Sequence, residues 1–139
     1  MTGAAVEVDP RLITFVLPSS PESVRIARFH VRASLGFHGL SKYADDAETI
    51  TSELVTNAVK HVCDSGAETI EVSLTRVWNP AAVTVAVSDS SSDGPIRRDA
   101  STYSLQGRGL QIVEALSAHW GWHQQEGGKA IFATLVFEA

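Results

Sequence analysis

The polar side chains of Glu53, Asn57 and His61 recur at every fourth residue in one segment of the chain. On an α-helix, four residues advance about 400°, so the three would form one stripe that drifts by only about 40° per step. A carboxylate and an amide offer the oxygen ligands that Mg²⁺ accepts, and Mg²⁺ often arrives in a protein together with phosphate groups. Because polar groups on a half-buried helix need partners, this spacing predicts a site for a cation and phosphates.

The positions beside this stripe, Leu54, Ala58 and Val62, form a parallel apolar stripe, which indicates that the helix is half buried. The alternative interpretation is an ordinary solvated helix face. Three polar residues in register beside apolar neighbours count against that alternative. For His61, a structural hydrogen-bonded role is as compatible with the sequence as a role in a site.

Asp89 stands directly after the strand-like apolar run 83–88. A carboxylate just past a buried strand can accept hydrogen bonds from a flat donor such as an adenine amino group. A turn-capping aspartate is the commoner explanation for a lone residue in this position. Asp89 alone therefore leaves both interpretations open.

Two glycines flank Arg108 at the start of a predicted helix, in the run Gly107-Arg108-Gly109-Leu110. Glycines let the backbone approach a ligand, and a helix N-terminus presents unpaired N–H groups and the positive end of the helix dipole. The run therefore indicates an anion site suited to phosphates. A dinucleotide-binding fingerprint is a competing interpretation, but it requires glycines directly after a strand, whereas residues 90–106 separate this run from the preceding strand.

The elements that would position these residues follow from the apolar periodicity. Strands are predicted at 12–17, 69–77, 82–88, 120–124 and 130–137, and helices at 21–36, about 44–63 and 108–117. Ser20 is expected to cap the first helix, with Pro21 in its first position. Two consecutive hairpins favour an α+β fold, namely a two-layer α/β sandwich whose mostly antiparallel mixed sheet carries the helices on one face.

The composition limits the classes of protein that the chain can represent. Its 139 residues suit one domain, predicted at 11–139 after a flexible tail at 1–10. The net charge of −5 lacks the basic footprint of a nucleic-acid binder. A single cysteine, no signal peptide and no apolar run of about 18 residues predict a cytoplasmic protein that neither spans nor binds a membrane.

Taken together, the acid–amide helix, the strand-end aspartate, the long polar loop, the Gly-x-Gly helix and the final glycine-containing hairpin resemble the Bergerat-fold (GHKL) ATPases. More closely, the chain resembles the stand-alone anti-sigma factor serine/threonine kinases in their short actinobacterial form. The resemblance covers residues 10–139. It implies the Bergerat fold, with ATP and Mg²⁺ as cofactors.

The resemblance also implies roles for individual residues. Glu53 would be the general base for the attacking hydroxyl, Asn57 the Mg²⁺ ligand, and His61 a further member of the same nucleotide-site wall. Asp89 would hold the adenine amino group, and residues 90–106 would form a lid over the nucleotide. The run Gly107, Arg108, Gly109 and Leu110 would be the second glycine box, whose N–H groups meet the phosphates.

Two departures from the family pattern concern the adenine side of the site. The first glycine box is usually Asp-x-Gly-x-Gly, but here only Asp89 and Gly94 match it. A Gly-Thr pair is frequent near the end of the family's domain, whereas this chain has Gly128-Lys129-Ala130. Thr134 is the residue expected to replace the missing hydroxyl.

The sequence therefore predicts an ATP-binding regulator that phosphorylates a Ser or Thr of an anti-anti-sigma (STAS-domain) protein, sequesters a sigma factor, or does both. The first alternative is a non-catalytic binding module with a degenerate or purely structural nucleotide site. A second is the catalytic domain of a split histidine kinase. A third is an ATPase that drives conformational change, although the chain has no transducer domain.

Three arginines on the first predicted helix, Arg25, Arg28 and Arg32, form a candidate partner surface. The alternative is an ordinary solvated helix face. The resemblance implies a homodimer in addition to the sigma factor or anti-anti-sigma partner.

Overall fold

The computed structural model describes residues 10–65, 69–78, 81–89, 108–125 and 128–137, without the side chains at 60–65, 108–110, 124–125 and 128–129. In chain order the elements are β1 (Arg11–Pro18), α1 (Glu22–Phe37), a 3₁₀ turn (Ser41–Tyr43), α2 (Ala44–Ser65), β2 (Thr69–Trp78), β3 (Ala81–Asp89), α3 (Arg108–Leu116), β4 (His119–Gln125) and β5 (Gly128–Val136). The predicted order of strands and helices is confirmed.

The strands form one sheet in the order β1-β2-β3-β5-β4, and all four pairings between these described strands are antiparallel. The pairs β2–β3 and β4–β5 are the two predicted hairpins. Across the sheet, α1 packs on β1, α2 packs mainly on β3, and α3 packs on β4. The α+β prediction of a two-layer sandwich with helices on one face is therefore confirmed.

Alternation along the strands separates the two faces of the sheet. On β3, Val83, Val85 and Val87 are buried, whereas the intervening Thr84 and Ala86 are partly exposed. The buried positions lie under the helices, because successive side chains of a strand point to opposite faces. We call this side the helix face and the other side the open face.

The core between the helices and the helix face is aliphatic. Its largest fully buried side chains are Leu35, Ile50, Leu54, Ile70, Leu74, Val31, Val55, Val72, Val83, Val85 and Val87. Each side chain of this size contributes about 1.5–3 kcal/mol when it is removed from water, so this layer holds α1 and α2 to the sheet. Within the described ranges, no helix has the length and apolar character needed to cross a bilayer.

The first helix begins one residue later than the sequence suggested. Pro21 occupies the N-cap position, and no side chain caps it. Ser20 contributes its backbone carbonyl, which accepts a hydrogen bond from the Ser23 N–H at 3.0 Å. The prediction of Ser20 as the capping side chain is wrong. The Ser23 hydroxyl instead donates to the Pro18 carbonyl at 2.6 Å and ties the helix start to the end of β1.

The end of α1 is a Schellman turn that sends the chain back toward α2. The Leu40 N–H donates to the Leu35 carbonyl at 2.7 Å, and the Gly39 N–H donates to the Gly36 carbonyl at 3.1 Å. Gly39 has φ +75°, a conformation that glycine adopts without steric cost. Leu35 and Leu40 are both buried beside this turn, so the reversal is sealed by apolar contact.

Candidate functional site

The second helix is the centre of the helix layer. The strand order places α1 over the β1 edge and α3 over the β4 edge, and α2 contacts both neighbours. α2 therefore has one side that faces α1 and an opposite side that faces α3. The residues on these two sides differ in chemistry.

Glu53 and Asn57 lie on the side of α2 away from α1. Glu48, which contacts α1, is separated from Glu53 by five residues, or about 140° around the helix. Glu53 is half-buried and has no hydrogen bond or ion pair within the described part of the chain. The structure thus keeps the predicted acid and amide one helical turn apart on one surface.

The side chain of Asn57 is buried, with 8% of its surface exposed. Its Nδ2 has no hydrogen-bond partner among the described residues. A buried amide donor without a partner costs about 1–3 kcal/mol, and most such groups in folded proteins are satisfied. Such an orphan is the arrangement expected where a bound group supplies the missing acceptor.

Asp89 is the last residue of β3, and 6% of its surface is exposed. It has the same strand parity as Val85 and Val87, so its carboxylate lies on the helix face, on the strand against which α2 packs. The structure thus places Asp89 on the face of the sheet that the helix layer, with Glu53 and Asn57, covers.

The third helix, α3, contributes its N-terminus to the helix layer. Arg108, Gly109 and Leu110 form its first turn, as predicted, and Val113 in its middle is fully buried against the core. The first N–H groups of a helix have no partner inside the helix and attract anions. Because α3 packs against α2, an anion site at this terminus would share the layer of Glu53 and Asn57.

The other side of α2 is occupied by an ion-pair network. Glu48 accepts hydrogen bonds from Nε of Arg28, which lies 3.1 Å from Oε1, and from Nε of Arg32. Arg32 also contacts Asp45. Burial on its own would raise the pKa of Glu48, but the hydrogen bonds from Arg32 and Arg28 outweigh it and hold this pKa below its ordinary value. The same carboxylates raise the pKa of Arg32.

Thr134 is not brought together with the other predicted residues. It pairs with Thr84 across β3 and β5, and the two Oγ1 atoms lie 2.9 Å apart. Thr84 belongs to the open face, and directly paired residues share a face. The side chain of Thr134 therefore points to the open face, whereas Asn57 and Asp89 lie on the helix face. This placement does not support the predicted role of Thr134 beside adenine.

Some predicted residues fall outside the description. Gly94 and Gly107 lie beyond the described ranges, as does the proposed lid at 90–106. His61 lies in the last turns of α2, with its side chain outside the description. Their predicted roles stay predictions.

The sequence analysis missed Glu48 as the partner of Arg28 and Arg32. Its partners are 20 and 16 residues away in the chain. No local spacing marks such a pair. The one available signal was that Arg28 and Arg32 are four residues apart and thus share a helix face.

A sequence model of the histidine kinase-like ATPase domain matches residues 17–135. No curated protein sequence is similar enough to count as a match. Among solved structures, the chain is similar to the RsbU and RsbW domains of Rv1364c from Mycobacterium tuberculosis, with 22% identity and a TM-score of 0.63 over 89% of this chain. The match covers 31% of the other chain, so this chain spans about a third of its length.

At that level of identity, the structural likeness shows the fold. The match to the family model is broader, because it extends from the end of β1 to the last residues of β5. It includes α2, Asp89 and α3, the elements on which the sequence resemblance rested. The chain therefore belongs to the histidine kinase-like ATPase domain family.

Proposed function

We propose that the protein is an ATP-binding regulator of the anti-sigma-factor type. It phosphorylates a Ser or Thr of an anti-anti-sigma (STAS-domain) partner, sequesters a sigma factor, or does both. The observation that carries the proposal is the buried amide of Asn57, whose Nδ2 has no partner among the described residues, one helical turn from the carboxylate of Glu53. Family membership supports the nucleotide, and the resemblance to anti-sigma factor kinases supports the class of partner.

The donor set around Asn57 fits Mg²⁺ held together with a nucleotide. Mg²⁺ usually takes one or two protein oxygens and completes its octahedron with waters and phosphate oxygens. Among the described residues, no three His, Cys, Asp or Glu side chains form a cluster that could enclose a metal by themselves. In the proposed site, Asn57 offers its amide oxygen to Mg²⁺ and its Nδ2 to an acceptor of the bound group.

The remaining residues position the substrates, and one of them, Glu53, also accepts a proton. When bound, ATP would supply the phosphoryl group and release ADP, and Mg²⁺ would neutralise charge on the phosphates. Glu53 orients the attacking hydroxyl and accepts its proton. Asp89 accepts a hydrogen bond from the adenine amino group, and the first turn of α3 donates N–H groups to phosphate oxygens.

Titration calorimetry with ATP, with and without Mg²⁺, tests the nucleotide site. We expect ATP to bind more tightly with Mg²⁺. Absence of ATP binding under both conditions would refute every form of the proposal that includes a nucleotide.

Transfer of labelled phosphate from ATP to an anti-anti-sigma protein tests catalysis. We expect Glu53→Gln to keep ATP binding and to lower the transfer rate by about 100-fold or more, because a positioned base contributes about 10²–10⁴-fold. Glu71→Gln, at an exposed open-face position, is the matched control and should transfer at the wild-type rate. ATP binding without Glu53-dependent transfer would identify a non-catalytic binding module instead.

A further inference from the structure

A cluster of aromatic rings around one arginine lies at the end of the sheet where β2 ends and β3 begins. The guanidinium carbon Cζ of Arg76 lies 4.2 Å from the ring centroid of Trp78 and 5.9 Å from that of Phe137. The ring of Tyr43 stacks on Phe137, with 4.0 Å between the two centroids. We refer to Arg76, Trp78, Phe137 and Tyr43 as the hairpin-end cluster.

The sheet register brings this cluster together far from the candidate nucleotide site. Trp78 ends β2 and pairs with Ala81 at the start of β3. Phe137 follows β5, and its N–H donates to the Ala81 carbonyl at 2.9 Å. β3 spans nine residues from Ala81 to Asp89. At about 3.3 Å per residue, the cluster therefore lies about 26 Å from Asp89.

The guanidinium of Arg76 is enclosed by rings but is not paired with an acid. Its Nε is buried and has no hydrogen-bond partner among the described residues. Over those same residues, neither Arg76 nor Lys42 forms an ion pair, whereas Arg28 and Arg32 are matched by acids of α2. The face of a ring attracts the charge of a guanidinium, but it does not supply the acceptors that the N–H groups require. Arg76 thus keeps donors for an acceptor from outside.

Trp78 adds an apolar surface beside these donors. Its side chain is 61% exposed, although it is one of the largest apolar groups of the chain. Trp and Arg are enriched among the residues that carry most of the binding energy between proteins. A carboxylate that reaches Arg76 would bring its apolar neighbour onto the ring of Trp78.

We propose that the hairpin-end cluster binds an acidic segment of another protein, with an Asp or Glu carboxylate on Arg76 and an adjacent apolar side chain on Trp78. A carboxylate is the expected acceptor, because a planar guanidinium donates two parallel hydrogen bonds to its two oxygens. Lys42, whose Nζ lies 5.9 Å from the Tyr43 ring centroid, adds a second positive charge. The proposal is independent of nucleotide binding.

The alternative occupants are acids of the chain itself and a second copy. Asp9 precedes Pro10, whose carbonyl accepts a hydrogen bond from the backbone N–H of Arg76 at 2.7 Å. Glu138 follows Phe137 in the sequence, and both acids lie outside the described residues. A second copy docked about a two-fold axis would bring Arg76 close to its own image, and like charges there oppose association.

Nuclear magnetic resonance of the full ¹⁵N-labelled chain tests the proposal, because it detects the Arg Nε–H and Trp indole N–H groups directly. The probe is the peptide acetyl-Gly-Leu-Glu-Leu-Glu-Leu-Gly-amide, and its matched control carries Gln at both Glu positions. We expect the Glu peptide to shift the Arg76 and Trp78 signals to saturation and to bind about tenfold more tightly than the Gln peptide. Arg76→Gln and Trp78→Ala should each weaken binding of the Glu peptide by about tenfold.

The control is Val136→Ser, which removes an exposed apolar side chain at the same end of the sheet but on the open face. It should bind the Glu peptide as the wild type does, and circular dichroism shows whether each variant keeps the fold. Equal affinity for both peptides, or no shift of the Arg76 and Trp78 signals, would overturn the proposal. So would binding that appears only in the Asp9→Asn and Glu138→Gln double variant, or a dimer in sedimentation that Trp78→Ala dissociates.

Calorimetry with Mg-ATP on the same proteins separates this proposal from the proposed function. Arg76→Gln should bind Mg-ATP as the wild type does, because the cluster lies at the opposite end of β3 from Asp89. If the chain fails to bind Mg-ATP but discriminates the two peptides, the proposed function fails and the hairpin-end cluster stands. If it binds Mg-ATP and ignores both peptides, the proposal for the cluster fails alone.

Discussion

The helix α2 carries two glutamates in opposite surroundings. On the α1 side, Glu48 is enclosed by Arg28 and Arg32, and 14% of its side chain is exposed. On the α3 side, the carboxylate of Glu53 and the Nδ2 of the neighbouring Asn57 have no hydrogen-bond partner among the described residues. One carboxylate is thus paired within the protein, whereas the Glu53 carboxylate and the Asn57 Nδ2 are not paired by any described residue.

The difference shows how burial alone misleads in the search for a site. Glu48 is mostly buried, yet its hydrogen bonds with Arg32 and Arg28 lower its pKa and account for its burial without any ligand. Perturbed acids are candidates for function, but structural ion pairs perturb pKa values as well. The α3 side carries instead a buried amide donor, Nδ2 of Asn57, without a partner among the described residues; the buried hydroxyls of Ser34 and Ser52 also lack one, so Asn57 is distinguished by its place one helical turn from Glu53.

The largest expected effect comes from removing that unsatisfied group. Asn57→Ala should weaken Mg-ATP binding by about 100-fold, the upper end of what changes around metal sites cost. The free energy of unfolding of the nucleotide-free protein should change by less than about 1 kcal/mol, because the Nδ2 has no partner in the described part of the chain to lose. Calorimetry and urea denaturation measure the two quantities. A large loss of stability with unchanged ATP binding would make Asn57 a structural residue.

The opposite outcome is expected on the α1 side. Glu48→Gln should lower the free energy of unfolding by about 1 kcal/mol at pH 7 and leave Mg-ATP binding unchanged, since the arginine partners are half-exposed and solvent screens the pair. The folded state holds the pKa of Glu48 down. Its stabilisation is therefore present above the pKa of an unfolded glutamate and lost as the pH falls through the lower folded value.

Urea denaturation of both proteins at pH 7 and near pH 3 checks this sign, because unfolded glutamate titrates near pH 4.3. The difference between wild type and Glu48→Gln should shrink at the lower pH. A difference that grows on acidification would show that the pairing with Arg28 and Arg32 does not stabilise the fold.

The smallest expected effect concerns Thr134, on the open face of the sheet. Thr134→Val should leave Mg-ATP affinity within about twofold of wild type, because the sheet separates Thr134 from Asn57. Stability should fall by less than about 1 kcal/mol, since only the hydrogen bond to Thr84 is lost. Thr84→Val is the matched control and should behave alike. A loss of ATP affinity in Thr134→Val alone would return Thr134 to the site.

Most of the fold could be predicted from local patterns. Alternation marked β2 and β3, and the four-residue spacing on α2 marked its buried and polar sides. These signals suffice because strands and helices impose periods of 2 and 3.6 on whatever side chains they bury. The start of α1 was missed by one residue, because Pro21 took the cap position that Ser20 was expected to fill.

The site was predictable only in part, for a physical reason. Glu53 and Asn57 share one helix, so their spacing in the sequence fixes their relative positions in space. Thr134 depended on register, and shifting a strand residue by one position moves it to the other face of the sheet. The pairing of Glu48 with Arg32 depended on how two helices pack, which no pattern within either helix specifies.

The turn at Gly39 has a consequence for how the chain assembles. By reversing the chain, it makes α1 and α2 an antiparallel hairpin of helices, in which Arg32 reaches Asp45 and Glu48 after only a short closing loop. β1 must instead find β2, where Leu17 pairs with Ile70 across the whole of that hairpin. Contacts between neighbours in sequence form quickly, and distant strand pairing carries the greater loop-closure cost. Formation of the helical hairpin shortens the distance between the end of β1 and the start of β2, and so lowers the loop-closure cost of pairing these two strands.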